Sequence, residues 1–346
     1  MQYRTLAGTG VEVSTQCLGA MMFGAFGNRD HDDCIAIINR ALDGGINFID
    51  TADMYSHGES EEIVGKAIAT RRDQVVLATK LFNQMDKDDR NARGASRHWI
   101  MREVENSLRR LGTDHIDLYQ VHEWDGLTPL EETLSALDAL VGSGKVRYVG
   151  SSNYTARQLM KSLWISDRDG LESFVSEQIY YSLQARDAEN ELIPIAVDEG
   201  LGVLVWSPLA GGLLSGKYRR GQKAPKGSRR FEGWSEPPVH DEDRLYDTID
   251  ALVELGERHG VSAAQVALAY TLAKPAVTSV IVGARTEEQL ADNLAAAELR
   301  LSDDELRRLD DVSAVPLLYP YWHQANTAVG RLNPADLSLL GRHVSA

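Results

Sequence analysis

The sequence predicts an α/β protein built as a closed (β/α)8 barrel, the TIM barrel, and three observations carry that expectation. Eight short apolar, β-branched runs recur along the chain, with turns and segments of helical period between them. The runs are almost continuously apolar rather than alternating, as strands are when both faces of the sheet are covered. The rival, an open doubly wound sheet, usually carries G-x-G-x-x-G after its first strand, and LGAMMFG at residues 18–24 does not supply it.

Taken in order, residues 2–15 (YRTLAGTGVEVSTQ) hold two short runs about Gly8 and Gly10, which predicts a β-hairpin ahead of the barrel. The eight strand runs are 17–21, 47–51, 75–80, 116–122, 146–151, 174–178, 202–207 and 279–283. A helix over 30–42 opens on acidic residues and stops at Gly44-Gly45; one over 96–111 has Ser96 at its N-cap and Gly112 beyond its end. Similar segments cover 130–141, 155–163, 189–197, 245–259 and 286–297. Residues 209–243, after the seventh run, are a Gly/Pro/charged stretch too aperiodic for a core element, which predicts a functional loop rather than a linker. No domain boundary, repeat or low-complexity tract interrupts the chain. The expectation is one domain over 1–346, with the barrel at 17–312 and a C-terminal tail at 313–346.

Composition narrows the function classes. The 346 residues include 36 Lys plus Arg against 51 Asp plus Glu, a formal charge of −15. That balance repels nucleic acid and anionic membrane surfaces. No apolar run approaches a membrane span and the first twenty residues lack a signal-peptide core. Two cysteines, Cys17 and Cys34, make neither a disulfide framework nor a cysteine-rich zinc site. The expectation is a soluble, acidic, cytoplasmic globular protein with no nucleic-acid or membrane partner.

In a barrel, reactive groups belong at the C-terminal strand ends. GINFIDTADMY places Asp50 at the end of the second run and Tyr55 in the loop beyond; VVLATK ends in Lys80, and IDLYQVH in His122. An acid, a phenol, an amine and an imidazole thus meet on one rim. A phenol with a pKa of about 10 is a poor proton donor at neutral pH. A neighbouring ammonium lowers that value, an imidazole orients or relays the proton, and Asp50 would keep Lys80 charged. Such a group suits a substrate oxygen that gains negative charge, as a carbonyl oxygen does on hydride addition. Singly, each residue has a plainer reading: a packed tyrosine, a snorkelling lysine, a structural histidine, a capping aspartate. Four of them at three successive strand ends are harder to dismiss.

Here the sequence resembles the aldo-keto reductase superfamily. The resemblance is carried by GINFIDTADMYSHGESEEIVGKAI, VVLATK, IDLYQVHEWD, VRYVGSSNY, SEQIYYSL, VLVWSPLAGGLLSGKY and SVIVGARTEEQLADNLAA, which occur in the family's order over roughly residues 2–312. It implies Asp50, Tyr55, Lys80 and His122 as the catalytic tetrad, with Tyr55 as general acid, and it implies no metal. It further implies that Ser152, Asn153 and Gln178 grip a nicotinamide carboxamide and that Trp206 stacks on its ring, although barrel packing would equally explain Trp206. Ser207, Leu209, Gly211 and Lys217 of SPLAGGLLSGKY would wrap the pyrophosphate, with Gly211 and Gly212 permitting close backbone approach. Around the adenosine end it implies Gly283, Arg285, Gln289 and Asn293, the last two four apart on one helix face, with Arg285 on a 2′-phosphate. In many members an Arg stands at the position of Gln289 and a Lys at that of Gly283. NADPH is the expected cofactor over NADH.

Two segments keep alternative readings. KYRRGQKAPKGSRR, residues 217–230, has seven basic side chains (Lys217, Arg219, Arg220, Lys223, Lys226, Arg229, Arg230) and no acidic one, suiting either a solvated mobile loop or a clamp on cofactor phosphates. The resemblance places the tail over the barrel mouth, where Tyr319, Tyr321, Trp322 and His323 would line a substrate pocket; the barrel wall and a subunit contact are the alternatives. The reading is an NADPH-dependent enzyme interconverting an aldehyde or ketone with its alcohol. Its rival is a cofactor-binding regulatory subunit, like the potassium-channel β-subunits that share these motifs.

Overall fold

A computed structural model describes residues 1–344 of the chain. Strands β1 (Tyr3–Thr5) and β2 (Glu12–Ser14) form an antiparallel hairpin with Arg4 opposite Val13. The hairpin is tied to the barrel: the Arg4 guanidinium donates to the carbonyls of Val277 and, at 2.7 Å, Leu272. Asn47 Nδ2 reaches the Glu12 carbonyl at 2.9 Å.

Eight parallel strands follow and close on themselves: β3 (Gln16–Gly19), β4 (Phe48–Asp50), β5 (Val76–Leu81), β6 (Ile116–Val121), β7 (Val146–Ser152), β8 (Phe174–Tyr180), β9 (Gly202–Trp206) and β10 (Val277–Val282), with β10 pairing back onto β3. Each predicted run is one of these strands. Around them lie α1 (His31–Asp43), α2 (Glu59–Ile68), α3 (Arg97–Leu111), α4 (Leu130–Gly142), α5 (Ala156–Asp169), α6 (Leu192–Asp198), α7 (Glu242–His259), α8 (Ala263–Ala273) and α9 (Glu287–Ala295). Their starts follow local chemistry. Asp30, Ser96, Thr155 and Thr286 accept hydrogen bonds from backbone N–H groups of their first turns, and Gly112 and Gly170 close α3 and α5 in the left-handed conformation.

Two barrel helices escape the sequence pattern for physical reasons. α2 begins at Gly58, which has no side chain to cap with. α8 is buried at every position from Ala263 to Thr271, so it has no polar face and no period to detect. The helix expected over 189–197 starts later: Glu189 closes a short 3-10 turn over Asp187–Glu189, and α6 begins at Leu192.

The barrel interior is layered by the two-residue period of strands. Phe48, Ala78, Leu118 and Leu204 pack with Cys17 and with Leu6 and Val13 of the hairpin in one apolar cluster, all fully buried. One pleat further toward the C-terminal ends stand Asp50, Lys80, Gln120 and Trp206. An apolar floor thus supports a polar layer.

The loop after β9 makes a 3-10 turn over Ala210–Ser215 and then runs irregularly to Asp241. Beyond α9 come α10 (Asp303–Val312), α11 (Tyr321–Thr327) and α12 (Pro334–Leu340). α12 packs along α6, Tyr321 donates to Glu191 at 3.0 Å, and Asn333 reaches Asp198 at the far end of α6. Part of the tail thus lies against α6 and the loop leading into it, and its apolar side chains (Leu317, Tyr321, Ala325, Leu339, Leu340) form their own small cluster. Tyr319 and Trp322 are exposed. Among the described residues no helix is long and apolar enough to cross a membrane.

Candidate active site

The polar layer holds the rim residues together. Lys80, fully buried, donates from Nζ to Asp50 Oδ1 at 2.5 Å, to the Thr51 carbonyl at 2.9 Å and to the Tyr55 hydroxyl at 3.4 Å. Tyr55 is delivered by a tight turn over Tyr55–Gly58, in which Ser56 and His57 both adopt positive φ (50° and 55°). That strained turn is pinned by Ser56 Oγ, which donates to the Phe23 carbonyl and accepts from Phe26 N–H. The His122 ring meets the Tyr55 ring edge-on with centroids 5.7 Å apart, and its Nδ1 lies 3.4 Å from Asn83 Nδ2. All four rim residues are brought together.

Electrostatics assign them different states. Burial holds the His122 imidazole well below its ordinary value, and Lys80 pushes it further down, so the ring is neutral at neutral pH. Burial alone would lower the Lys80 ammonium, but Asp50 and Tyr55 together outweigh it and raise it. The Tyr55 phenol differs from expectation. Lys80 does pull its pKa down, yet burial is the larger effect and the net shift is upward.

The residues expected around a nicotinamide are less free than the sequence suggested. Gln178 Nε2 donates to Asp50 Oδ2 at 2.9 Å, and Ser152 Oγ donates to the Gln178 carbonyl. Asn153, at φ 59°, donates from Nδ2 to the His122 carbonyl and to Glu123, and accepts at Oδ1 from Trp206 Nε1 at 3.1 Å. Trp206 is stacked on Tyr180, centroids 4.8 Å apart. Beside Asn153 and Tyr180 opens a cleft of about 340 Å3, also lined by Tyr154, Ile179 and Leu192. Glu177, next to Gln178 but facing outward, accepts from Tyr154 N–H and Ser151 Oγ; burial raises its carboxyl to about 8.

Beyond β9 the backbone makes a glycine turn. Ser207 (φ 51°) accepts on Oγ from Gly211 N–H at 2.8 Å, and the Leu209 carbonyl accepts from Gly212 N–H. Gly211 and Gly212 sit at φ 64° and 93°; a Cβ on Gly212 would lie 3.1 Å from Lys217 Nζ, and one on Gly211 3.7 Å from an Arg229 nitrogen. Burial lowers the Arg229 guanidinium and Arg285 lowers it further, outweighing the opposite pull of Tyr218 and Glu236, so two cations lie close enough to repel one another. The basic loop is thus divided. Arg219 and Arg220 answer Asp250, Asp243 and Asp247 of α7, Arg230 donates to the Pro237 carbonyl, and Lys217 and Arg229 face the glycine turn.

At the start of α9, Gln289 turns back to accept from Arg285 N–H at 2.9 Å. Asn293 is buried, donates to the Gly283 carbonyl and accepts from Gln16 on its own carbonyl, so it buttresses the strand end. Two residues of this surface escape sequence reading as individuals. Arg229 is hidden among six other basic side chains of its loop. Gln120, which donates to Asp50 Oδ2 at 3.0 Å and accepts from Gln178 at 3.2 Å, sits two residues before His122 and so on the same strand face, the one signal that could have found it.

Comparisons with known proteins agree with this geometry. The model of the Aldo/keto reductase family matches residues 16–314. The chain is 42% identical over 326 residues to YrpG of Bacillus subtilis, named an uncharacterized oxidoreductase, covering 91% of this chain and 97% of that one. It is 33% identical over 351 residues to the versiconal hemiacetal acetate reductase of Aspergillus parasiticus, covering 92% and 99%. It is also 34% identical over 308 residues to a probable voltage-gated potassium channel subunit beta of Arabidopsis thaliana, covering 86% and 92%.

Proposed function

Since the chain belongs to the aldo/keto reductase family, we propose that this oxidoreductase is an NADPH-dependent enzyme that reduces an aldehyde or ketone to its alcohol, reversibly, with Tyr55 as the general acid. One observation carries the reading: a buried ammonium, Lys80, held between a carboxylate and the hydroxyl of the rim tyrosine. The donor set around the glycine turn fits an anionic dinucleotide. Lys217, Arg229 and Arg285 supply positive charge, and the absent Cβ atoms of Gly211 and Gly212 leave the backbone approachable. Ser152, Asn153, Gln178 and Trp206 would hold the nicotinamide, and Ser207, Leu209, Gly283, Gln289 and Asn293 would shape the rest of the cofactor groove. When bound, the cofactor supplies a hydride to the carbonyl carbon.

The chain's own residues then manage the oxygen. As its C=O bond opens, the oxygen takes the proton of the Tyr55 hydroxyl, leaving a phenolate. Lys80 stabilises that phenolate, and Asp50 keeps Lys80 charged in a site largely removed from water. His122 works as a neutral hydrogen-bonding group beside the oxygen, because burial prevents it from being a cation. Loss of NADPH absorbance against a chemically diverse carbonyl panel tests the reading. The similarity to proteins named as channel β-subunits favours one other role, that of a cofactor-binding regulator. Tight NADPH binding with negligible oxidation across the panel would select it.

A further inference from the structure

We propose that Gln120 is a positioning residue of this site: it fixes which end of the Gln178 amide faces a bound nicotinamide and helps hold Asp50 against Lys80. The proposal rests on the reductase reading above. Gln120 is fully buried on β6, one pleat beyond Leu118 of the apolar floor. A buried amide in a barrel interior is costly unless its donor and acceptor are both used. Here both are. Nε2 donates to Asp50 Oδ2 at 3.0 Å, and Oε1 accepts from Gln178 Nε2 at 3.2 Å. Gln178 Nε2 also donates to the same Asp50 oxygen at 2.9 Å.

These three bonds close a ring of Asp50, Gln120 and Gln178. Both amide hydrogens of Gln178 are directed into that ring, so its planar group must turn its carbonyl oxygen the other way. Among the described residues that oxygen has no donor. A nicotinamide carboxamide carries an NH2 group that needs an acceptor, and an outward-facing Gln178 oxygen provides one. Without Gln120, one Gln178 hydrogen loses its acceptor and the amide is free to reverse. The titratable groups around the ring are Asp50 itself, Lys80 from β5, Tyr55 and Asp53 from the turn after β4, Cys17 from β3 and His122 beyond β6.

The test compares wild type, Gln120→Met and Gln120→Glu by fluorescence titration with NADPH and with its reduced 3-acetylpyridine analogue, in which a methyl replaces the carboxamide NH2. Wild type should favour NADPH by about tenfold, and Gln120→Met should shrink that ratio to about twofold, the scale of one well-placed hydrogen bond. Gln120→Glu adds a signature that packing alone would not produce. Its protonated carboxyl donates to Asp50 and accepts from Gln178 as the amide does; ionised, it cannot donate and stands beside another carboxylate. Its NADPH affinity should approach wild type near pH 5.5 and fall by about tenfold toward pH 8.5, while that of the methionine variant stays flat. This variant keeps all the native bonds at low pH, so it remains informative where the methionine variant fails to fold. An unchanged cofactor ratio in Gln120→Met, or a flat pH response in Gln120→Glu, would overturn the proposal. Wild-type protein that binds neither cofactor would overturn the reductase reading itself, and the proposal with it.

Discussion

At the scale of single residues, Tyr55 and Glu177 make opposite demands on the same physics. Tyr55→Phe removes one hydroxyl that faces Lys80 and leaves the ring against His122. The variant should bind NADPH as wild type does and lose roughly 10²–10⁴ in turnover, the range for one general acid. Turnover close to wild type in steady-state assays would exclude Tyr55 as the proton donor. Glu177 takes no part in the chemistry but is a buried acid raised from 4.5 to about 8. The folded protein keeps that proton through a range in which the unfolded chain gives it up. Glu177 therefore contributes full stability below about pH 4.5, and that contribution is lost as pH rises toward 8. Thermal melts should show wild type losing stability across this window and Glu177→Gln losing less. Parallel curves would mean that Glu177 does not titrate there.

At the scale of elements, the turn carrying Tyr55 is backed by α3 as well as held by the Ser56 hydroxyl. Arg110 of α3 lies under Gly58, where a Cβ would come within 2.5 Å of its side chain, and it pairs with Glu61 of α2 at 2.6 Å and Glu103 at 2.5 Å. Both carboxylates are completely buried, so their one guanidinium cannot be removed cheaply. Arg110→Met should destabilise the protein by about 3–5 kcal/mol, because it leaves two buried acids uncompensated. Denaturant unfolding measures this, and a loss under about 1 kcal/mol would mean that the pair relaxes by protonation. None of this staple is visible in sequence, since α2 lacks a side-chain cap and Arg110 reads as an ordinary C-terminal helix arginine. The same limit hid α8, whose uniform burial erased the periodicity that betrays α1 and α3. What was legible was whatever obeys local rules: the eight strands, the capped helices, and Asp50, Lys80 and His122 at strand ends.

At the scale of the whole molecule, a chain of formal charge −15 concentrates positive groups around one groove. Lys217, Arg229 and Arg285 approach it from two separate segments, and only the first and last could be singled out from sequence, because which loop cations face inward is decided by where α7 places its acids. If Arg285 grips a 2′-phosphate, the charge-assisted bonds contribute about 1.5–3 kcal/mol, or one to two decades of affinity. NADPH should bind tens-fold tighter than NADH, Arg285→Ala should erase most of that difference, and added salt should shrink it. Trp206 fluorescence titration reads all three, and equal affinity for both cofactors in wild type would sink the assignment. A preference surviving Arg285→Ala would move the phosphate contact to Arg229 or Gln289.

The hairpin gives the barrel a closed base, and on the reductase reading this bears on how the site would exchange protons with its surroundings. Leu6 and Val13 pack with Phe48, Ala78, Leu118 and Leu204 and fill that end with fully buried apolar side chains. If Tyr55 is the proton donor, the proton it gives up would be replaced from the C-terminal side of the barrel, where Tyr55 stands. On that reading, while reactants fill that side the Asp50–Lys80–Tyr55 group would keep whatever protons it held on filling, and each cycle would begin with an inventory fixed by the bulk solution at the moment of loading.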